Sequence, residues 1–153
     1  MAEVRSAYVH VPFCSHRCGY CNFTLIAGRA DLVPSYLNAL GRELELTLDE
    51  ASEVETLFLG GGTPSFLSVS ELEHLFELLN RWLPTTSSAE VSCEVNPLDC
   101  RPAKLEMLRA AGVNRISIGG QSFSARKLSV LQRDHSPDEL RKAIATCQQY
   151  FDR

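Results

Sequence analysis

Three cysteines near the N-terminus, Cys14, Cys18 and Cys21 in the string PFCSHRCGYCNF, have spacing that invites chemistry. A CxxxCxxC loop can bring three thiolates around one centre. A cubane iron–sulfur cluster ligated by only three thiolates keeps one iron open for a small chelating molecule. A structural zinc site needs four ligands and would have to recruit His16, Cys93 or Cys100 as the fourth. A disulfide with one spare thiol is the third reading, and a reducing compartment disfavours it. Cys93, Cys100 and Cys147 have no partner spacing and read as ordinary buried or free thiols.

The elements that must position this loop alternate along the chain. Ser6 to Val11 (SAYVHV) alternates and is rich in β-formers, so it reads as a strand leading directly into the cysteine loop. Tyr8 and His10 share one of its faces, Val9 and Val11 the other. From Pro34 to about Glu50, Tyr36, Leu37, Leu40, Leu44 and Leu48 recur at helical spacing. Thr56 to Leu59 is a short apolar strand stopped by GGGTPS. A second helix begins near Ser70, where Ser70 and Glu73 have capping-box spacing, and carries Leu72, Leu75, Phe76, Leu79 and Trp82 on one face.

Ala89 to Glu94 reads as a third strand, punctuated by Asn96-Pro97, and Arg101 to Ala111 as a third helix ending at Gly112. Arg115 to Ile118 is a fourth strand, followed by GGQSF, a helical turn around Leu128 to Leu131, and a last helix from Pro137 to Phe151. Strand and helix alternate four times. The expected fold is therefore α/β, with parallel strands joined by right-handed helical crossovers and ligands at the loops after the strands. PFCSHRCGYCNF, GGGTPS, EVNP and GGQSF all fall on that face.

Of 153 residues, 44% are hydrophobic and 22% charged, enough to bury a core, so disorder and coiled coil are poor readings. Fifteen Lys and Arg against 19 Asp and Glu give a net charge of −4 with no basic run, which argues against nucleic acid as partner. The N-terminus lacks a signal-peptide pattern and no segment reaches membrane-spanning length, so a cytoplasmic location is expected.

The string YVHVPFCSHRCGYCNF, followed in order by GGGTPS, EVNP, GVNRISIGGQSF and LQRDH, closely resembles the oxygen-independent coproporphyrinogen III oxidase family of radical S-adenosylmethionine (radical SAM) proteins. The resemblance implies a [4Fe–4S] cluster on Cys14, Cys18 and Cys21, with SAM on the open iron and an electron donor that drives cleavage of the sulfonium bond. It also implies a partial (βα) TIM-like barrel with about four of its six βα units present, so that residues 1–153 form the N-terminal part of a core domain without its C-terminal domain. The family's oxidases usually carry a further cysteine two residues after the last ligand and an N-terminal extension. Cys21-Asn22-Phe23 instead matches the heme-chaperone branch. Heme or a porphyrinogen would then be handled by a C-terminal region. Oxidase chemistry, decarboxylating two propionates of coproporphyrinogen III, is the alternative, and a zinc-stabilised βα binding module is the alternative of another class.

By the same resemblance Tyr8 lies in the SAM site, Tyr20 against the adenine, and Gly61, Gly62 and Thr63 at the methionine end. Glu94 and Gln121 hold the sugar and methionine region, and Arg133 of LQRDH is a further contact. Without the family, Tyr8 reads as a half-buried strand residue, Arg133 as a solvated helix-end charge, and His10 and His16 as non-ligands. Gly120 stands where the family's GVQSF pattern has valine, and a glycine there is expected to loosen the fourth strand's end beside Gln121.

Overall fold

A computed structural model describes residues 5–152. Strand β1 (Ser6–Val11) lies where the alternation places it, with Val9 and Val11 buried and Tyr8 and His10 on the open face. It continues through Pro12 into β2 (Phe13–Cys14), which pairs in parallel with β3 (Ile26–Ala27). This two-residue ribbon is too short to show a period in the sequence. It closes the cysteine loop at its base, where Ile26 N donates to Pro12 O at 2.7 Å and Gly28 N to Cys14 O at 2.9 Å.

Helix α1 (Val33–Thr47) carries Pro34 in its first turn, where a missing amide hydrogen is tolerated, and ends short of Glu50. Strand β4 (Val54–Gly61) extends the expected Thr56–Leu59 run at both ends. Helix α2 (Val69–Trp82) starts earlier than the Ser70 reading. Its capping box is Ser68 with Glu71: Ser68 Oγ accepts from Glu71 N at 3.3 Å, and Glu71 Oε2 accepts from Ser68 N at 2.8 Å. The reason is local. Ser68 is extended just after the 3-10 turn Pro64–Phe66, whereas Ser70 already lies inside the helix.

Strand β5 (Thr85–Val95) is longer than the Ala89–Glu94 reading, α3 (Pro102–Ala110) is followed by Gly112 at φ +94°, and β6 (Arg115–Ile118) falls on the expected residues. Helix α4 (Ala125–Val130) replaces the turn expected around Leu128 to Leu131. Helix α5 (Pro137–Cys147) has its own capping box, Ser136 with Glu139, and stops before Phe151, which folds back into the core.

The four long strands form one parallel sheet in the order β1-β4-β5-β6. Parallel strands laid side by side in chain order require every right-handed crossover to pass over the same face, the winding of a barrel rather than of a doubly wound sheet. The packing agrees. Leu57, Leu59, Val91, Cys93 and Val95 are buried with Leu72, Leu75, Phe76 and Leu79 of α2 and Leu105 and Leu108 of α3. Each such side chain contributes about 1.5–3 kcal/mol by leaving water. Tyr8, Phe58, Glu94 and Ser117 occupy the other face. Among the described residues no helix is long and apolar enough to cross a membrane.

Candidate cluster and nucleotide site

The four strands deliver their loops to one end of the sheet, and these loops enclose a cleft of about 340 Å3, within the size range of small-ligand sites. Cys14, Cys18, Cys21, Tyr20, Gly61, Gly62, Thr63, Glu94, Gln121 and Arg133, ten of the eleven residues singled out from the sequence, line it. Tyr8 does not. It stands on the same sheet face, half exposed, stacked on Phe58 at 5.9 Å between ring centres. Burial, with the Glu94 carboxylate adding, holds its phenol above the usual range.

All three loop cysteines are free. Cys14 is buried, with its Sγ 3.1 Å from Thr63 Oγ1, so the Thr63 side chain serves the cysteine loop. Burial raises the Cys14 thiol pKa and the Thr63 hydroxyl opposes the rise. Arg133 Nη1 donates to Cys18 Sγ at 3.1 Å and Nη2 to Gly119 O at 2.6 Å. That is a charge-assisted contact to a cysteine sulfur, not a solvated helix-end charge. Arg17 organises the loop from within, donating to the carbonyls of Cys21, Phe23 and Leu25 at 3.3, 3.1 and 3.0 Å.

The glycine loop owes its sequence to close approach. Gly61 has φ +108°, and a Cβ there would lie 2.5 Å from His10 Nδ1. A Cβ on Gly62 would meet Phe13 O at 2.7 Å and Val11 O at 2.9 Å, which are backbone atoms that cannot swing aside. The loop amides are engaged inside the protein: Gly61 N donates to Glu94 Oε2, Gly62 N to Val11 O, and Thr63 N to Phe13 O. The Arg133 guanidinium lines the cleft beside them. Its Nε is buried and has no partner.

Glu94 accepts the Gly61 amide at 3.3 Å, yet burial still raises its carboxyl pKa. Further hydroxyl donors would stabilise its charged form. Gln121 holds φ +59°, a left-handed backbone rare outside glycine and characteristic of functional turns. Gly120 does not loosen the strand end. It is buried, Leu140 of α5 fills the space where a Cβ would stand (2.7 Å to Cδ1), and Gly120 O accepts from His135 Nε2 at 3.1 Å.

His16 and Ser65 brace the site through partners that local spacing does not show. His16 lines the cleft and donates through Nε2 to Gln132 O at 2.9 Å. Ser65 is fully buried, with its hydroxyl bridging Asp99 Oδ2 at 2.8 Å and Asn96 N at 2.9 Å while Lys104 reaches its carbonyl, so the glycine loop and the loop after β5 are locked together. The S of GGGTPS and the N of EVNP were the available hints. The remaining cysteines stay off the cleft. Cys93 is fully buried with its thiol pushed up to about 12, and Cys100 is buried with its Sγ donating to Asn96 O at 3.5 Å.

The protein-family model described as the radical SAM superfamily matches residues 8–153. The chain is 39% identical over 140 residues to the heme chaperone HemW of Bacillus subtilis, covering 90% of this chain and 37% of that protein. It is 41% identical over 133 residues to the zebrafish mitochondrial radical S-adenosyl methionine domain-containing protein 1, covering 86% and 30%. Among solved structures it matches the radical SAM enzyme coproporphyrinogen III oxidase (HemN) of Escherichia coli with a TM-score of 0.88 and 29% identity, over 97% of this chain and 35% of that one. This chain thus spans about a third of the length of these relatives. Its partial barrel, its three free cysteines and the family match together establish that the chain belongs to the radical SAM superfamily.

Proposed function

We propose that residues 1–153 form the N-terminal part of a radical SAM core domain that holds a [4Fe–4S] cluster on Cys14, Cys18 and Cys21 and SAM in the adjoining cleft, in the service of heme handling. One observation carries the reading. Three free thiols and the guanidinium side chain of Arg133 line the same cleft. Thiolates suit iron, and a guanidinium N–H suits a carboxylate. A structural zinc site would need a fourth protein ligand beside the three thiols, whereas a [4Fe–4S] cluster on three thiolates keeps one iron open for SAM, and the radical SAM family match supports the cluster over the zinc module.

Bound together, cluster and SAM supply one-electron cleavage of the sulfonium bond once a donor provides the electron. The chain's own residues orient the reactants. Thr63 and Arg133 contact the sulfurs of Cys14 and Cys18, the Arg133 guanidinium would meet the methionine carboxylate, Glu94 would take the ribose hydroxyls, and Tyr20 and Gln121 would flank the nucleoside. The heme-chaperone reading rests on the HemW relatives and on Phe23, 64% exposed on the cleft wall where the oxidase branch carries a further cysteine. Heme contacts then belong to residues beyond these 153.

The oxidase reading is kept by the fold match to the Escherichia coli enzyme. The full-length protein, purified without oxygen, separates the two. Stable heme retention and transfer to an apo-hemoprotein, with coproporphyrinogen III left unconsumed, is the expected result. Release of carbon dioxide from coproporphyrinogen III would replace the chaperone reading with the oxidase.

A further inference from the structure

The cysteine loop is held in place by a segment more than a hundred residues away. Leu131–His135, the link between α4 and α5, lies against it. Gly19 N donates to Leu131 O at 3.3 Å, His16 Nε2 to Gln132 O at 2.9 Å, and Arg133 Nη1 to Cys18 Sγ at 3.1 Å. Gln132 adopts φ +54°, a conformation that costs about 1 kcal/mol or more outside glycine and persists only where surroundings enforce it. At Gly19 the loop comes so close that a Cβ would lie 2.8 Å from Gln132 Cδ.

Asp134 is the hub of this contact. Its carboxylate accepts from Ser15 Oγ at 3.5 Å and from Asn96 Nδ2 at 3.4 Å, and it lies 3.6 Å from both His16 Nδ1 and His135 Nδ1. His135 is buried, its Nδ1 has no hydrogen-bond partner, and its Nε2 donates to Gly120 O. One carboxylate thus touches the cysteine loop, the loop after β5 and, through His135, the loop after β6. These are the walls that would carry cluster, ribose and methionine.

We infer that Asp134 is a positioning residue that fixes the cluster-bearing loop against the nucleotide-bearing loops, setting the placement of SAM relative to the cluster without touching either. The inference rests on the proposed cluster and SAM site for its functional consequence and on the apo fold for its mechanical one, so it is tested in both. In the anaerobically reconstituted full-length protein, Asp134→Ala should keep iron and sulfide near wild-type levels while weakening SAM binding at least tenfold. The change that SAM induces in the EPR spectrum of the reduced cluster should shrink in step.

In the apo protein the same variant should speed exchange of the Gly19 amide at least tenfold. SAM affinity and Gly19 exchange both within twofold of wild type would overturn the inference. If Asp134→Ala fails to fold by circular dichroism, Asp134→Asn, which keeps size and one acceptor oxygen, decides: weakening beyond threefold in either measurement supports the clamp, and unchanged values refute it. A wild-type protein whose EPR spectrum ignores SAM would sink the proposed function, whereas Gly19 exchange would still judge the clamp.

Discussion

Arg133 and Cys18 stand 115 residues apart in the chain and are joined by a 3.1 Å contact from guanidinium to sulfur. A donor and positive charge on a ligand sulfur stabilise the more negative, reduced form of a cluster. Replacing Arg133 by Leu should therefore lower the cluster's reduction potential. The drop should be on the order of 50 mV, the one-electron equivalent of about 1 kcal/mol of lost differential stabilisation. Arg133→Lys should recover part of it. A potentiometric titration followed by EPR measures both, and an unchanged potential in the Leu variant would remove Arg133 from the tuning of the cluster.

Gly62 tests the close approach of the glycine loop to the start of the cysteine loop. An alanine there places its methyl group against the Phe13 and Val11 backbone, and neither can yield without breaking the Gly62 N–Val11 O and Thr63 N–Phe13 O bonds. Gly62→Ala should cost about 1–3 kcal/mol, as overpacking does. Denaturant melts report it. A loss no larger than that of Gly112→Ala, at a positive φ with open space around it, would show that conformation rather than contact is what matters at Gly62.

The glycine at position 120 makes a paired prediction. Gly120→Val drives its side chain into Leu140 and should destabilise by about 1–3 kcal/mol. Combining it with Leu140→Ala should restore part of that loss, so that the double variant is more stable than the sum of the singles. Strict additivity in a double-mutant cycle would contradict the packing described.

Glu94 should give the site a pH dependence. Burial raises its carboxyl above the 4.5 of a free glutamate, so its charge is a burden on the empty fold above that raised value, and the burden fades as pH falls through it. Glu94→Gln should accordingly stabilise the apo protein at neutral pH. If ribose hydroxyls bond the carboxylate, SAM affinity should fall as pH drops through the same window above 4.5, and the Gln variant should flatten that profile. Equal slopes in both proteins would take Glu94 out of the site.

Much of this arrangement was readable before any fold was known. β1 and β6 lie on the residues expected because alternation and apolar runs are local signals, and the four loops after strands gather at one end because parallel winding leaves no other place for them. The two-residue ribbon β2–β3 was invisible, being shorter than any period. The α2 cap was misplaced because Ser68 with Glu71 and Ser70 with Glu73 offer the same spacing two residues apart, and only the preceding turn chooses between them. The α5 box, Ser136 with Glu139, carried the same signature and could have been read. The partners of Asp134 and Ser65 were out of reach, because contacts across the sheet end leave no mark on local spacing.

The central claim is that Cys14, Cys18 and Cys21 hold an iron–sulfur cluster open to SAM. Anaerobic reconstitution followed by iron, sulfide and zinc analysis, with EPR of the reduced protein before and after SAM, tests it most directly. The expected result is about four iron and four sulfide per chain, an EPR spectrum that shifts on adding SAM, and loss of both when any one of the three cysteines is changed to Ala. Stoichiometric zinc without sulfide, or a cluster whose spectrum is indifferent to SAM, would contradict it.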